Sequence, residues 1–310
     1  MTTAFMSCSE GDGKPKGVDR ANLDETVAPG EDFYQYACGG WMKANPLQPQ
    51  YSRYGQFDQM AENNKEQLKE LIQGLAKQEN PEGSVAQKVN DLYLLGLDSA
   101  RLNEEGASPI MADLDKINGA KKEDLMGVIA WLHAEGLASP FFNEGVDADL
   151  MNSNENALYF MESGIGLGER DYYLENDSNS LKIRNAYVDF VNKMFTLSGY
   201  ETARAEEATA NVMKIETALA KVAMTREEQR NIAGQYNPRT MEQMKKDYPN
   251  VDWDMIIAAI GLKDVENVIV GQPRSFAEVN SLLGSLSEQE IKDYLACCYI
   301  RSAASYLSDD

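Results

Sequence analysis

The chain has 310 residues, 43% of them hydrophobic, enough for a sizeable core and for roughly two compact units. Its 50 acidic against 29 basic side chains leave a formal charge of -21, which repels a phosphate backbone and argues against nucleic acid as a partner. No apolar run approaches the roughly 18 to 20 residues that a spanning helix needs, so a chain that is soluble or at most tethered is expected.

In chain order, residues 1–17 read as a flexible tail. Its first eight residues resemble the end of a bacterial lipoprotein signal, with Cys8 at the acylated position, although a basic n-region and an apolar h-region are missing. Two readings stay open: a true start upstream with a lipid tether at Cys8, or an ordinary thiol in a frayed terminus. Residues 18–59 follow as a loop-rich segment, aromatic and punctuated by Gly and Pro between Val27 and Phe57, with turns expected rather than long elements.

From residue 60 to residue 310 helical periods take over. Leu68, Leu71, Ile72 and Leu75 repeat at i, i+3, i+4 and i+7, as do Leu125, Val128, Ile129 and Leu132. Further stripes start at Val89, Tyr187 and Val212, and each is expected to bury one face of a helix. Three capping boxes are expected, at Thr225 with Glu228, Ser275 with Glu278, and Ser287 with Glu290. Ala157 to Met161 and Asn267 to Val270 read as short strands, too few for a sheet-based fold. The fold class is therefore mainly α: a multi-helix lobe with a loop-rich amino-terminal segment and a few short strands.

Common catalytic devices find little footing. The single histidine, His133, lies beside an apolar helical stripe and reads as structural, and a zinc helix of the H-E-x-x-H type needs two imidazoles one turn apart. Gly164, Gly166 and Gly168 mimic a dinucleotide loop but lack the alternating strands and helices around it. Cys297 and Cys298, in an apolar stretch, read as small buried hydrophobes.

Two runs carry a resemblance. Asp32-Phe-Tyr-Gln-Tyr-Ala-Cys-Gly-Gly-Trp41 and Arg53-Tyr-Gly-Gln-Phe-Asp58 are similar to the amino-terminal signature of the neprilysin family of zinc metallopeptidases. Gly166-Leu-Gly-Glu-Arg-Asp-Tyr-Tyr173, Ile215-Glu-Thr-Ala-Leu-Ala220, Tyr236-Asn-Pro238 and Val268-Ile-Val-Gly-Gln-Pro273 follow in that family's order.

The resemblance implies the amino-terminal substrate-chamber half of an endopeptidase that cleaves oligopeptides before hydrophobic residues. It places the catalytic zinc and its ligands on a carboxyl-terminal lobe that this chain does not include, so no metal and no activity are expected of the chain alone. The segment 18–59 would pack on that lobe. An extracytoplasmic setting, in the cell envelope or periplasm, is implied as well. Among these residues, Arg53 would reach a carbonyl or terminal carboxylate of the peptide, Asp58 would help form that subsite, and Phe57 would line the apolar pocket beside it. Without the resemblance, Arg53 reads as a surface ion-pair partner, Asp58 as a helix-start acid and Phe57 as core.

Departures matter too. A second arginine of some members is Ala61 here, a cysteine is Gly30, and the usual proline of the R-D-Y-Y element is Gly168. Cys38 matches a cysteine whose partner lies in the carboxyl-terminal part. The alternative from another class is a non-enzymatic helical lipoprotein that binds peptides or proteins.

Overall fold

The computed structural model describes residue 17 and residues 19–309, so Cys8 lies outside the described residues. The chain divides into two compact units between Leu95 and Gly96. The compositional boundary at residues 59 and 60 falls instead inside a helix.

The first unit holds α1 (Phe33–Ala44), α2 (Gln56–Leu75) and most of α3 (Val85–Leu97). The helix α1 corrects the expectation of turns alone. Asp32 caps it, its carboxylate accepting from the Gln35 N–H at 2.9 Å, and the Gly39-Gly40 pair that looked like a turn lies within it. A Cβ on Gly40 would stand 2.3 Å from the Ala21 carbonyl oxygen, and one on Gly39 2.7 Å from Asp24 Cβ. The two glycines therefore let the helix lie directly on the backbone of residues 21–24, a gain that outweighs their poor helix propensity.

The stripe on α2 is a second correction: Leu68 and Leu71 are exposed rather than buried. Within this unit only Asp24 and Gly39 are buried among the described residues, so no apolar layer exists there for α2 to cover.

The second unit runs through α4 (Ser99–Glu105), α5 (Met111–Gly119), α6 (Leu125–Ala134), β1 (Phe142–Asp149), β2 (Asn152–Glu162), α7 (Asp171–Leu174), α8 (Ser178–Leu197) and α9 (Thr202–Val222). It continues through α10 (Arg226–Gln229), β3 (Asn237–Thr240), α11 (Met241–Asp247), α12 (Trp253–Ala259), β4 (Asn267–Val270), α13 (Pro273–Ser285) and α14 (Glu288–Ala303). Helices dominate, as the periodicity predicts.

Both expected strands are present, in β2 and β4, and they pair in parallel with Leu158 opposite Val268. The unforeseen β1 and β3 flank them in the order β1-β2-β4-β3. Phe142, Phe160, Trp253 and Phe276 interlock beneath this sheet, with ring centroids 5.1 to 6.1 Å apart along the chain of contacts. Burying four such rings supplies a large share of the unit's driving force.

Stripes on α6 and α9 are buried as predicted, and so are the thiols of Cys297 and Cys298 on α14. The boxes at Thr225 and Ser287 form. The one at Ser275 does not, because Pro273 starts α13 two residues earlier and the Ser275 hydroxyl instead donates to Glu162 at 2.6 Å. Gly168 has φ +74°, a conformation closed to proline, so the loop here takes a different course from one carrying the family's usual residue.

Candidate functional site

The segment that carries Arg53 is fixed from both ends within the first unit. Upstream, the buried Asp24 carboxylate accepts from Lys43 Nζ at 2.8 Å, Gln35 Nε2 at 3.2 Å and the Thr26 hydroxyl at 2.5 Å. The Lys43 ammonium and the two neutral donors hold this carboxyl well below the usual carboxylate range. The result is a pinned α1, which offers Trp41 as a platform: its ring stacks on Tyr54 with centroids 6.1 Å apart.

Downstream, Tyr51 and Tyr54 both donate their hydroxyls to the Glu62 carboxylate, one to each oxygen. These bonds lower the Glu62 pKa, and the bond to Glu62 pushes the Tyr54 phenol up to about 12. Residues 51–54 are thus tied to the second turn of α2. Gln59 adds a bond from its amide to Asn45 at 3.0 Å.

Between the two tyrosine anchors, Arg53 is exposed and has no hydrogen-bond or ion-pair partner among the described residues. The bland expectation of a surface ion pair therefore does not apply to it. Phe57 is 87% exposed on the first turn of α2, so it is not core within this chain. Asp58 spends one oxygen on the Gly55 N–H at 2.8 Å, which is the helix-start role read from its position. The three residues share one loop-to-helix segment, and the structure shows no ion pair between Arg53 and Asp58.

The tyrosine pair on Glu62 went unread in the sequence. Both tyrosines belong to the recognised run, but nothing local marks a carboxylate eight residues after Tyr54 as their shared acceptor.

Two of the other recognised runs, 166–173 and 215–220, meet in the second unit around Glu216, which is fully buried. Its carboxylate accepts from Tyr173 at 2.6 Å, Tyr187 at 3.0 Å and Arg301 at 3.2 Å, and from the Gly166 N–H. Burial raises its pKa against the opposing pull of Tyr173 and Arg301. Arg170 donates to the Ala220 and Lys221 carbonyls at the end of α9, at 3.2 and 3.3 Å. The runs 166–173 and 215–220 are therefore structural partners: one supplies the hydroxyl, the loop amide and the cap, the other the carboxylate and the helix end.

His133 is enclosed, with Nδ1 2.7 Å from Glu144 and Nε2 donating to the Pro140 carbonyl at 3.2 Å, and its ring stacks on Phe142. It ties α6 to β1, consistent with its structural reading. Cys38, Cys297 and Cys298 are free thiols. Among the described residues, no three His, Cys, Asp or Glu side chains converge as a metal site would require, so these residues do not fit a zinc ion. No described helix is long and apolar enough to cross a membrane.

Residues 29–310 match the amino-terminal model of peptidase family M13. Endothelin-converting enzyme 1 of Cavia porcellus is 29% identical over 300 residues, covering 92% of this chain and 39% of that protein. Endothelin-converting enzyme-like 1 of Homo sapiens is 26% identical, over 97% of this chain and 41% of that protein. Among solved structures, the Mycobacterium tuberculosis zinc metalloprotease ZMP1 in complex with an inhibitor matches with a TM-score of 0.83 at 25% identity, over 95% of this chain and 45% of that chain. PepO from Lactobacillus rhamnosis HN001 shares the fold, with a TM-score of 0.73 at 17% identity, over 92% of this chain and 45% of that chain. The chain spans about two fifths of the length of the curated relatives it matches.

Proposed function

Because this chain belongs to peptidase family M13, we propose that it is the substrate-chamber half of a zinc endopeptidase that cleaves oligopeptides before hydrophobic residues, in an extracytoplasmic setting. The zinc would be held by residues of a carboxyl-terminal catalytic lobe, and none of the described residues takes part in holding it. What this chain would contribute is recognition.

The observation that carries this reading is the state of Arg53: a guanidinium with no partner among the described residues, on a segment braced by the two tyrosines bound to Glu62. A planar guanidinium fork can take a peptide carboxylate through two parallel charge-assisted bonds, and a braced loop loses little freedom in doing so. Phe57, exposed one turn along, is available to cover an apolar side chain of the bound peptide. Full burial of such a side chain is worth roughly 1.5 to 3 kcal/mol. Asp58 would complete the subsite with the oxygen not used in the helix cap.

The test is hydrolysis of a mixed oligopeptide set by the complete reading frame, with product termini read by mass spectrometry. Fragments should begin with hydrophobic residues, and release should stop when zinc is chelated. An intact peptide pool, or cleavage indifferent to chelation, would refute the proposal and favour a non-enzymatic binding protein.

A further inference from the structure

The second unit carries an open strand edge that none of the recognised runs uses. The strand β1 has β2 as its only strand neighbour, since the sheet order places it at the end. Along its eight residues the backbone groups on the outer side therefore lack a ladder partner among the described residues. A groove of about 360 Å³ lies over this strand and its neighbour, lined by the consecutive residues Asn143 to Ala148 together with Tyr159 and Met161 of β2.

Three features make the edge a place for another strand rather than a blunted end. Gly145 sits midway along it, and a Cβ built there meets nothing within 4 Å, so the backbone can be approached closely. Tyr159 donates its hydroxyl to the Ala148 carbonyl at 3.0 Å and accepts from the Leu150 N–H at 3.1 Å, which stiffens the end of the hairpin. Asp149 accepts from the Tyr236 hydroxyl at 2.9 Å, which fastens the same end to the residue before β3. A stiff edge gives up little entropy when it gains a neighbour.

Charge selects the occupant. Strand alternation puts Asp147 on the same face as Gly145, opposite Ala157 of β2, while Glu155 lies in the bulged stretch of β2 between the pairs Ala148–Asn156 and Asp149–Asn152. Neither carboxylate is in an ion pair among the described residues. A second copy of this chain would bring the same acids and another -21 to the edge, so self-pairing is disfavoured, as charged edges of natural sheets generally achieve. A cationic strand meets the opposite situation.

Resting on the peptidase reading above, we propose that β1 takes up an extended basic peptide segment as an added fifth strand. Main-chain pairing along Asn143 to Asp147, short of Ala148 whose N–H and C=O are taken by Asp147 and Tyr159, would hold it, and Asp147 would select lysine or arginine at the position facing it. Such an exosite would favour substrates that carry a basic stretch away from the cleaved bond.

A fluorescein-labelled octapeptide of alternating lysine and threonine, titrated against the 310-residue chain, tests this directly. It should bind at least tenfold more tightly than the glutamate-threonine peptide. Of two lysine-threonine peptides N-methylated at alternate residues, one set at lysines and one at threonines, only one should keep its affinity. A slip of one residue cannot rescue the other, because it turns the lysines to the wrong face. Asp147→Lys and Gly145→Val, with unchanged thermal midpoints, should each weaken binding at least fivefold. Equal affinity of the two methylated peptides, indifference to both substitutions, or no binding at millimolar peptide would overturn the proposal.

In the complete reading frame, Asp147→Lys should raise KM for a substrate with a lysine-threonine extension and leave the unextended substrate alone. Cleavage with KM unchanged for both overturns strand addition. No cleavage of either refutes the peptidase reading, and the binding titration then decides the strand by itself.

Discussion

Gly166 lies under the Tyr187 hydroxyl with no room for a methyl group: a Cβ there would stand 1.8 Å from the phenolic oxygen and 2.1 Å from Arg301 Nη1. Both groups are held in place by Glu216, so neither can swing aside as a free side-chain end would. Gly166→Ala should therefore destabilise the chain by about 1 to 3 kcal/mol, the usual range for overpacking. A urea midpoint matching the parent's would show that the network gives way without cost.

Gly40→Ala makes the corresponding prediction for the first unit. Its Cβ would press on the Ala21 and Leu23 carbonyl oxygens at 2.3 and 2.7 Å, both of them backbone atoms. The substitution should lift α1 off residues 21–24, break the Asp24 bonds to Lys43 and Gln35, and speed amide exchange between residues 19 and 27. Exchange there as slow as in the parent would contradict the close approach.

Arg53→Met in the complete reading frame addresses the proposed subsite. Loss of charge-assisted bonds of about 1.5 to 3 kcal/mol corresponds to a fall of roughly 10- to 150-fold in kcat/KM for peptides with a free carboxyl terminus. Amidated peptides should be affected far less. Equal losses on both classes would remove Arg53 from contact with the carboxylate.

Acid sensitivity follows from two capping-box glutamates. Lys214 and the Ser287 amide bring Glu290 down to about 2, and Arg274 with the Thr225 amide brings Glu228 to about 2, from 4.5. A carboxyl whose folded pKa is lowered contributes stability above its unfolded value, and that contribution is lost as pH falls through the folded value. Stability should therefore decline between about pH 4.5 and pH 2. The gap between the parent and Glu290→Gln, measured by urea unfolding, should close over the same interval. A gap that stays constant with pH would show that the Lys214 and Ser287 bonds do not depend on the ionised form.

The sequence by itself settled the helical class, the stripes of α6 and α9, the strands in β2 and β4, two of three proposed caps and the family. These depend on the order of side chains within a few turns, where 3.6-residue and two-residue periods are legible directly. Tertiary structure alone decided the rest. It made Gly39 and Gly40 part of a helix, because what they approach lies some 17 residues upstream in the chain. It left Leu68 and Leu71 exposed, because burial needs a facing layer and a stripe states only that one is wanted. It gave Tyr51 and Tyr54 a common acceptor in Glu62, and it left Arg53 without one among the described residues. Long-range pairing carries no periodic signal, so which polar groups find partners, and which remain open to a ligand, could be read only from the folded chain.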